Sequence, residues 1–321
     1  MATFTIKKSS KDSFHLNCEF QGFPLTFVNG LRRVLVGEYL PSVVLRDVNI
    51  LVNTTQMPHE MIKHRMELLP VNINHENAEV IKNAVVELKC FPIPDKDRVL
   101  TTDDFVIEKG PKHLLMKDRD LDNPLVFIKV RKGEEVHVTA KLAVEKGSHV
   151  CTASQSFHID PERAKIDKEE YMKKEDADER VFDNFYIQKS YSVDDHGRPN
   201  WIDFNIESVG VYSSKDLLKM AVQELKKLID EWINEAMENI SRESEKNVYS
   251  VNLKKGGHTE GALIQESIYA LQKTDFVGYD ILHPLVKELL IKFVSESKPE
   301  DILKETQKHI HDYCELIEKA V

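Results

Sequence analysis

The chain holds 13 histidines, four cysteines and an excess of acids, so the spacing of these groups decides whether they can act together. His59-Glu60 and His64 come nearest to the helical zinc signature of metalloproteases. That signature sets its histidines four apart on one face, whereas five steps of about 100° separate these two by about 140°. His309 and His311, two apart in a helical stretch, also point to different sides. Both pairs read as surface histidines, and neither a metal nor any other cofactor is expected. The Gly256-Gly257-His258-Thr259-Glu260-Gly261 segment precedes a helix but lacks the Lys and hydroxyl of a phosphate loop, so it reads as a tight strand-to-helix turn. There is no G-x-S-x-G elbow and no acid–base pair that spacing picks out, so no catalytic residue is expected.

Cys18, Cys90, Cys151 and Cys314 lie far apart with no C-x-x-C pair, which opposes a zinc knuckle and a disulfide scaffold and fits a reducing, intracellular compartment. The first residues form no apolar signal core, and no run reaches the roughly 18 apolar residues of a membrane span. A protein neither secreted nor membrane-embedded is expected. With 54 acidic against 44 basic side chains, a net charge of −10 opposes a direct grip on nucleic acid, which depends on clustered Lys and Arg. The basic pairs Arg32-Arg33 and Lys254-Lys255 are not interleaved with aromatics. Arg32 and Arg33 flank a wide apolar stripe and suit a protein interface, where Arg is enriched.

Two similar runs of elements would carry these residues. The first has strands at 3–7 and 13–20, then a helix from Pro24 whose Phe27, Leu31, Val34 and Leu35 share a face. A half-buried strand around Val48, Ile50 and Val52 and a short helix through Ile62, Met66 and Leu69 follow, closed by Pro70. Residues 71 to 199 read as short strands between turns, including a hairpin from Val126–Val130 into Val136–Val144 about Lys132-Gly133. The densely charged 161–180 segment reads as a solvated helix or a surface excursion. The longest helical signal, 213–240, aligns Leu218, Ala221, Leu225, Leu228, Trp232 and Ala236. After a polar linker at 241–247, strand, helix and strands recur, and a last helix carries Leu303, Ile310 and Ile317. The repeated order predicts an α+β chain whose two modules pack on each other through Phe27, Leu31, Leu35, Leu225, Trp232, Leu263, Leu303, Ile310 and Ile317.

Particular strings within this order resemble a known family, the α-like assembly subunits of cellular and viral RNA polymerases. Asn29-Gly30-Leu31-Arg32-Arg33-Val34-Leu35, Glu38 and His64-Arg65-Met66-Glu67-Leu68-Leu69-Pro70 look like the two motifs of the larger α-like subunit. Lys132-Gly133-Glu134-Glu135, Gly147-Ser148-His149 and Phe204-Asn205-Ile206-Glu207-Ser208-Val209-Gly210 resemble its middle and its returning strand. His258-Thr259-x-Gly261-x-Leu263 and Gly278-Tyr279-x-x-x-His283-Pro284-Leu285 resemble the smaller α-like partner. Glu67 and Glu260 depart from the family pattern, which favours glycine and leucine there, and Thr152 stands about where tryptophan is frequent. The zinc or iron–sulfur ligands of some larger α-like subunits are missing, so the inserted domain must hold by packing.

The resemblance implies two α-like dimerisation modules forming an internal pseudo-heterodimer, with a mainly β domain inserted in the first. The first module would span 1–70 and 200–240, the insertion 71–199, the linker 241–247 and the second module 248–321. It also implies a non-catalytic assembly platform for DNA-directed transcription. Its partners would be the two large catalytic polymerase subunits, with small zinc-binding subunits alongside and no membrane. Arg32, Arg33, His64 and Arg65 would face, or buttress the helix that faces, a large subunit. The fused arrangement resembles that of large eukaryotic DNA viruses, which would place it in the host cytoplasm, the nucleus or the virion. The competing readings are a metal-dependent hydrolase using the histidines and a stand-alone regulator with an α-like fold.

Overall fold

The computed structural model describes the chain except for residues 1, 38, 148, 149, 255, 282, 284 and 287. The chain begins β1 (Thr3–Ser9), β2 (His15–Gln21), α1 (Leu25–Val36), β3 (Pro41–Asn53), α2 (His59–Glu67) and α3 (Ala78–Asn83). Then come β4 (Val85–Cys90), β5 (Arg98–Thr101), β6 (Phe105–Glu108), β7 (Val126–Val130), β8 (Val136–Lys146) and β9 (Cys151–Phe157). They are followed by α4 (Pro161–Tyr171), α5 (Glu179–Asn184), β10 (Trp201–Ser208) and α6 (Ser214–Glu238). The last are β11 (Ile240–Arg242), β12 (Val248–Leu253), α7 (His258–Ala270), β13 (Phe276–Asp280), β14 (Leu289–Val294) and α8 (Pro299–Glu318). Among the described residues no helix is long and apolar enough to cross a membrane.

These elements form two compact units, one of residues 1–35, 153–206 and 215–321, the other of 36–152 and 207–214. The larger unit holds two four-stranded sheets, ordered β1-β2-β10-β9 and β11-β12-β14-β13. Alternation fixes their faces: Leu16, Cys18 and Phe20 of β2 and Ile202, Phe204 and Ile206 of β10 are buried, while Asn17, Gln21 and Asn205 are exposed. Helix α6 buries more than the stripe legible in its sequence. Leu217, Val222, Ile229 and Ile233 are also 0% exposed, so this helix has apolar company on two sides.

The smaller unit is built on a sheet ordered β3-β8-β4-β6, with a two-stranded β5-β7 ribbon and α2 and α3. Its core gathers Leu45, Ile62, Met66, Val86, Leu88, Phe127, Val138 and Leu142. Sequence and structure part here. The predicted hairpin does not form: β7 pairs with β5, Arg98 opposite Val130, while β8 pairs with β3 and β4. The turn between them is real, since Gly133 takes φ +77° and Glu134 N–H bonds Arg131 O at 3.1 Å. However, the backbone edges of β7 and β8 pair with different strands, although their buried side chains share one core.

Unit boundaries also fall elsewhere than the modules drawn from the sequence. β3 runs 13 residues beside β8, from Pro41 opposite Lys146 to Asn53 opposite Val136, and so draws residues 36–70 into the β-rich unit. Residues 158–200 instead leave β9 and return to β10, tied by His158 N–H to Trp201 O (2.9 Å) and the Ile159–Tyr191 bridge. Helix α4 in this excursion buries only Ala164, as a solvated helix should. The 241–247 linker is partly a strand, because Ile240–Arg242 pairs with Val251–Tyr249.

All four cysteines are buried and free. Burial pushes the Cys18, Cys151 and Cys314 thiols up to about 12, which keeps them protonated and poor nucleophiles.

Candidate functional site

The face through which the first and last thirds of the chain meet lies wholly in the larger unit. Helix α1 has glycine at position 30 where a Cβ would sit 3.7 Å from Leu263 Cδ2 of α7, so the two helices approach closely. Phe23 and Phe27 place their rings 5.1 and 5.3 Å from Tyr313 of α8. Along α6, the Asp230 carboxylate accepts from Gln307 Nε2 at 2.6 Å and lies 3.0 Å from His311 Nε2 of α8. One turn earlier Lys226 bonds Glu318 at 2.6 Å. The apolar centre supplies area and the polar pairs along its margin supply register.

Phe27, Leu31, Leu35, Leu225, Leu263, Leu303, Ile310 and Ile317 are each at most 1% exposed, and Trp232 is 8% exposed. Burial here is therefore as the periodicity requires. Sequence reasoning missed Tyr313, Asp230 and Gln307, which carry specific contacts across this face. A polar residue inside a helical stripe gives no signal until its partner is known.

The residues singled out for docking fall in different units. Arg32 and Arg33 belong to α1 of the larger unit, and His64 and Arg65 to α2 of the smaller one. Arg32 turns back on its own helix, donating from Nε and Nη2 to Asn29 Oδ1 at 3.2 and 3.0 Å, while Arg33 is exposed. Arg65 donates to Phe127 O at 2.8 Å and Val126 O at 3.3 Å, pinning α2 on β7. His64 is exposed between Met61 and Leu68, themselves 50% and 45% exposed. Two of the three departures from family pattern, Glu67 and Glu260, have structural uses. Glu67 pairs with Arg46 at 2.7 Å, and the Glu145 hydrogen bond, with burial opposing it and Glu67 adding to it, holds that guanidinium above its ordinary value. Glu260 closes the first turn of α7 by accepting from Gly257 N–H at 2.8 Å. Glu38, Ser148, His149, Lys255 and Pro284, named in the motifs above, lie outside the described residues.

His59 and His64 are both exposed on α2, and His309 sits with its ring 4.8 Å from Tyr313, where burial lowers its pKa. None of these enters a group of three potential ligands. Among the described residues one such group exists, Glu19, His158 and Asp203, with ligand atoms within 4.8 Å of one another. Its members already satisfy each other and their neighbours. Glu19 Oε2 accepts from Lys7 Nζ at 3.0 Å and Trp201 Nε1 at 3.1 Å, and His158 bonds Asp203 at 3.0 Å while stacking on Trp201. On the sheet's outer face these contacts form a hydrogen-bonded network.

Comparison with known proteins bears on what the paired face belongs to. Two family models, both described as the RNA polymerase Rpb3/Rpb11 dimerisation domain, match residues 17–229 and 249–320. The chain is 26% identical over 144 residues to DNA-directed RNA polymerase subunit Rpo3 of Methanosphaera stadtmanae, covering 40% of this chain and 49% of that protein. It is 27% identical over 198 residues to DNA-directed RNA polymerase II subunit RPB3 of Schizosaccharomyces pombe, covering 54% and 65%. It thus spans about half to two thirds of the length of these relatives. A conjugation stage-specific protein of Tetrahymena thermophila is 21% identical over 310 residues, 75% of this chain and 98% of that one. With one match in each half, on either side of the face described above, the chain belongs to the RNA polymerase Rpb3/Rpb11 dimerisation domain family.

Proposed function

We propose that this chain is a non-catalytic assembly platform of a DNA-dependent RNA polymerase. Its two halves pair within one polypeptide as an internal pseudo-heterodimer, and the pair docks the two large catalytic subunits, with small zinc-binding subunits alongside. The observation that carries the reading is the meeting of α1 and α6 with α7 and α8: α1 and most of α6 lie in the match at 17–229, and α7 and α8 in the match at 249–320. Any catalysis belongs to the partners. The platform works inside the cell and, on the likeness of its fused arrangement to large DNA viruses, in the host cytoplasm, nucleus or particle.

Joining two modules by a short tether replaces a bimolecular encounter by an effective concentration on the order of millimolar. The contacts themselves must nevertheless hold the halves. With a protease site placed at 243–247 and the folded protein cut there, the two fragments are expected to co-elute in size exclusion. Free separation of the fragments would overturn the pairing.

Docking is tested separately. Charge reversal of Arg32 and Arg33 together is expected to lower recovery of the large subunits in a pull-down by at least about tenfold, the scale of interface arginines whose loss costs more than about 1.4 kcal/mol. The thermal midpoint of the isolated chain should stay unchanged, because Arg33 is exposed and Arg32 bonds only Asn29 among described side chains. Undiminished recovery would remove both residues from the docking face.

A further inference from the structure

One cleft in the larger unit borders the pairing face, where Thr26 of α1 donates to the Glu266 carboxylate of α7. It lies beside α7 and the outer edge of β13, the last strand of its sheet, with a volume of about 420 Å³. Two aromatic rings open into it, Tyr269 at 54% and Phe276 at 59% exposure, together with the carboxylates of Glu266 and Asp275. The strand itself, Phe-Val-Gly-Tyr-Asp, has neither the Lys nor the Pro that commonly blunts a sheet edge.

The chain already shows what such a place binds. Arg198 lays its guanidinium over Tyr269, 5.4 Å from the ring centroid, and reaches Glu266 at 3.4 Å. That is one aromatic face and one carboxylate filled by a cation in cis. The second set, Phe276 and Asp275, is open: no described side chain bonds the Asp275 carboxylate, and no described cation lies over Phe276.

We propose that this cleft docks a basic, extended segment of a partner protein. The segment adds to the free edge of β13 by main-chain hydrogen bonds and seats a Lys or Arg between Phe276 and Asp275. Charge complementarity fixes the chemistry: two carboxylates against one guanidinium leave the cleft negative, on a chain of net charge −10. The inference does not depend on the polymerase reading, since it concerns the cleft alone and can be tested with a free peptide.

The probe is a fluorescein-labelled octapeptide of alternating Arg and Val, titrated with the full chain by anisotropy, with a Glu–Val octapeptide as control. The Arg–Val peptide should bind and the Glu–Val peptide should not. Asp275→Asn and Phe276→Ala should each weaken binding at least about threefold, the size of one exposed cation–aromatic or ion-pair contact. Arg198→Ala should tighten it, by freeing Tyr269 and Glu266 for a second basic side chain. Glu170→Gln, an exposed acid of α4, should change nothing. Unchanged thermal midpoints keep a folding defect apart from a binding one. Equal binding of the two peptides, indifference to Phe276→Ala, or weakening by Glu170→Gln as large as by Asp275→Asn would overturn the site. A sedimenting dimer that excludes the peptide would assign the edge to a second copy of this chain and overturn it as well.

Discussion

Phe27→Ala is expected to lower the unfolding free energy by about 3–5 kcal/mol, the range for truncating a buried Phe. Phe27 is 1% exposed and sits at a junction of rings, 5.7 Å from Phe23 on its own side and 5.3 Å from Tyr313 of α8. Phe23 continues to Phe20 at 5.2 Å, and Phe20 to Phe204 at 5.4 Å, so one aromatic chain links α1, β2, β10 and α8. Alanine removes the ring from the middle of that chain. Neighbours held by three elements cannot all close on the void, so the cavity cost adds to the lost burial. In urea the midpoint should fall with little change in slope. Hydrogen exchange should report faster opening of α1 and α8 together, whereas β3, β4 and β8, whose core contains none of these rings, should keep their protection. Loss of protection in α1 with α8 unaffected would mean that Phe27 does not join the two halves.

That ring junction shows how far the sequence could be read. Phe27, Leu31 and Leu35 announce themselves by helical spacing, and the helix at 213–240 does so more strongly still, because period depends only on near neighbours. Which surface covers the stripe is a matter of contacts hundreds of residues apart in sequence. Tyr313, Asp230 and Gln307 had no legible role until α6 and α8 were seen side by side. The same blindness produced the false hairpin: Val126–Val130 and Val136–Val144 alternate correctly about a true turn, yet alternation does not say which strand is the neighbour. Arg65 was singled out as a docking residue, and its bonds to Phe127 O and Val126 O give it a buttressing use that no local pattern encodes. Ile240–Arg242 escaped notice for a simpler reason, being three residues of strand in a polar stretch. Fold class and burial are thus set largely by local pattern, and partner choice by the nonlocal packing that pattern leaves open.

A second large effect is expected at Gly261, where the family motif and the packing coincide. A Cβ at this position would fall 2.4 Å from Tyr279 Cδ2 and 2.7 Å from its Cγ, well inside contact distance. These are ring atoms near the β13 backbone, not the tip of a flexible side chain, so the conflict cannot be relieved by a small rotation. Gly261→Leu should therefore cost about 3 kcal/mol in overpacking. Against this, leucine gains about 1 kcal/mol over glycine in helix propensity, since residue 261 is interior to α7. The net expectation is a loss of about 2 kcal/mol, with the sign set by the ring. Tyr279→Ala alone should also destabilise, because it uncovers α7. The two changes together should then cost clearly less than their sum, because the space left by the ring admits the new side chain. Denaturant midpoints of the four proteins measure the coupling directly. Additive losses would show that Gly261 is required by its backbone and not by the approach of β13, and a stabilised Gly261→Leu chain would show that α7 and β13 lie farther apart than 2.4 Å allows.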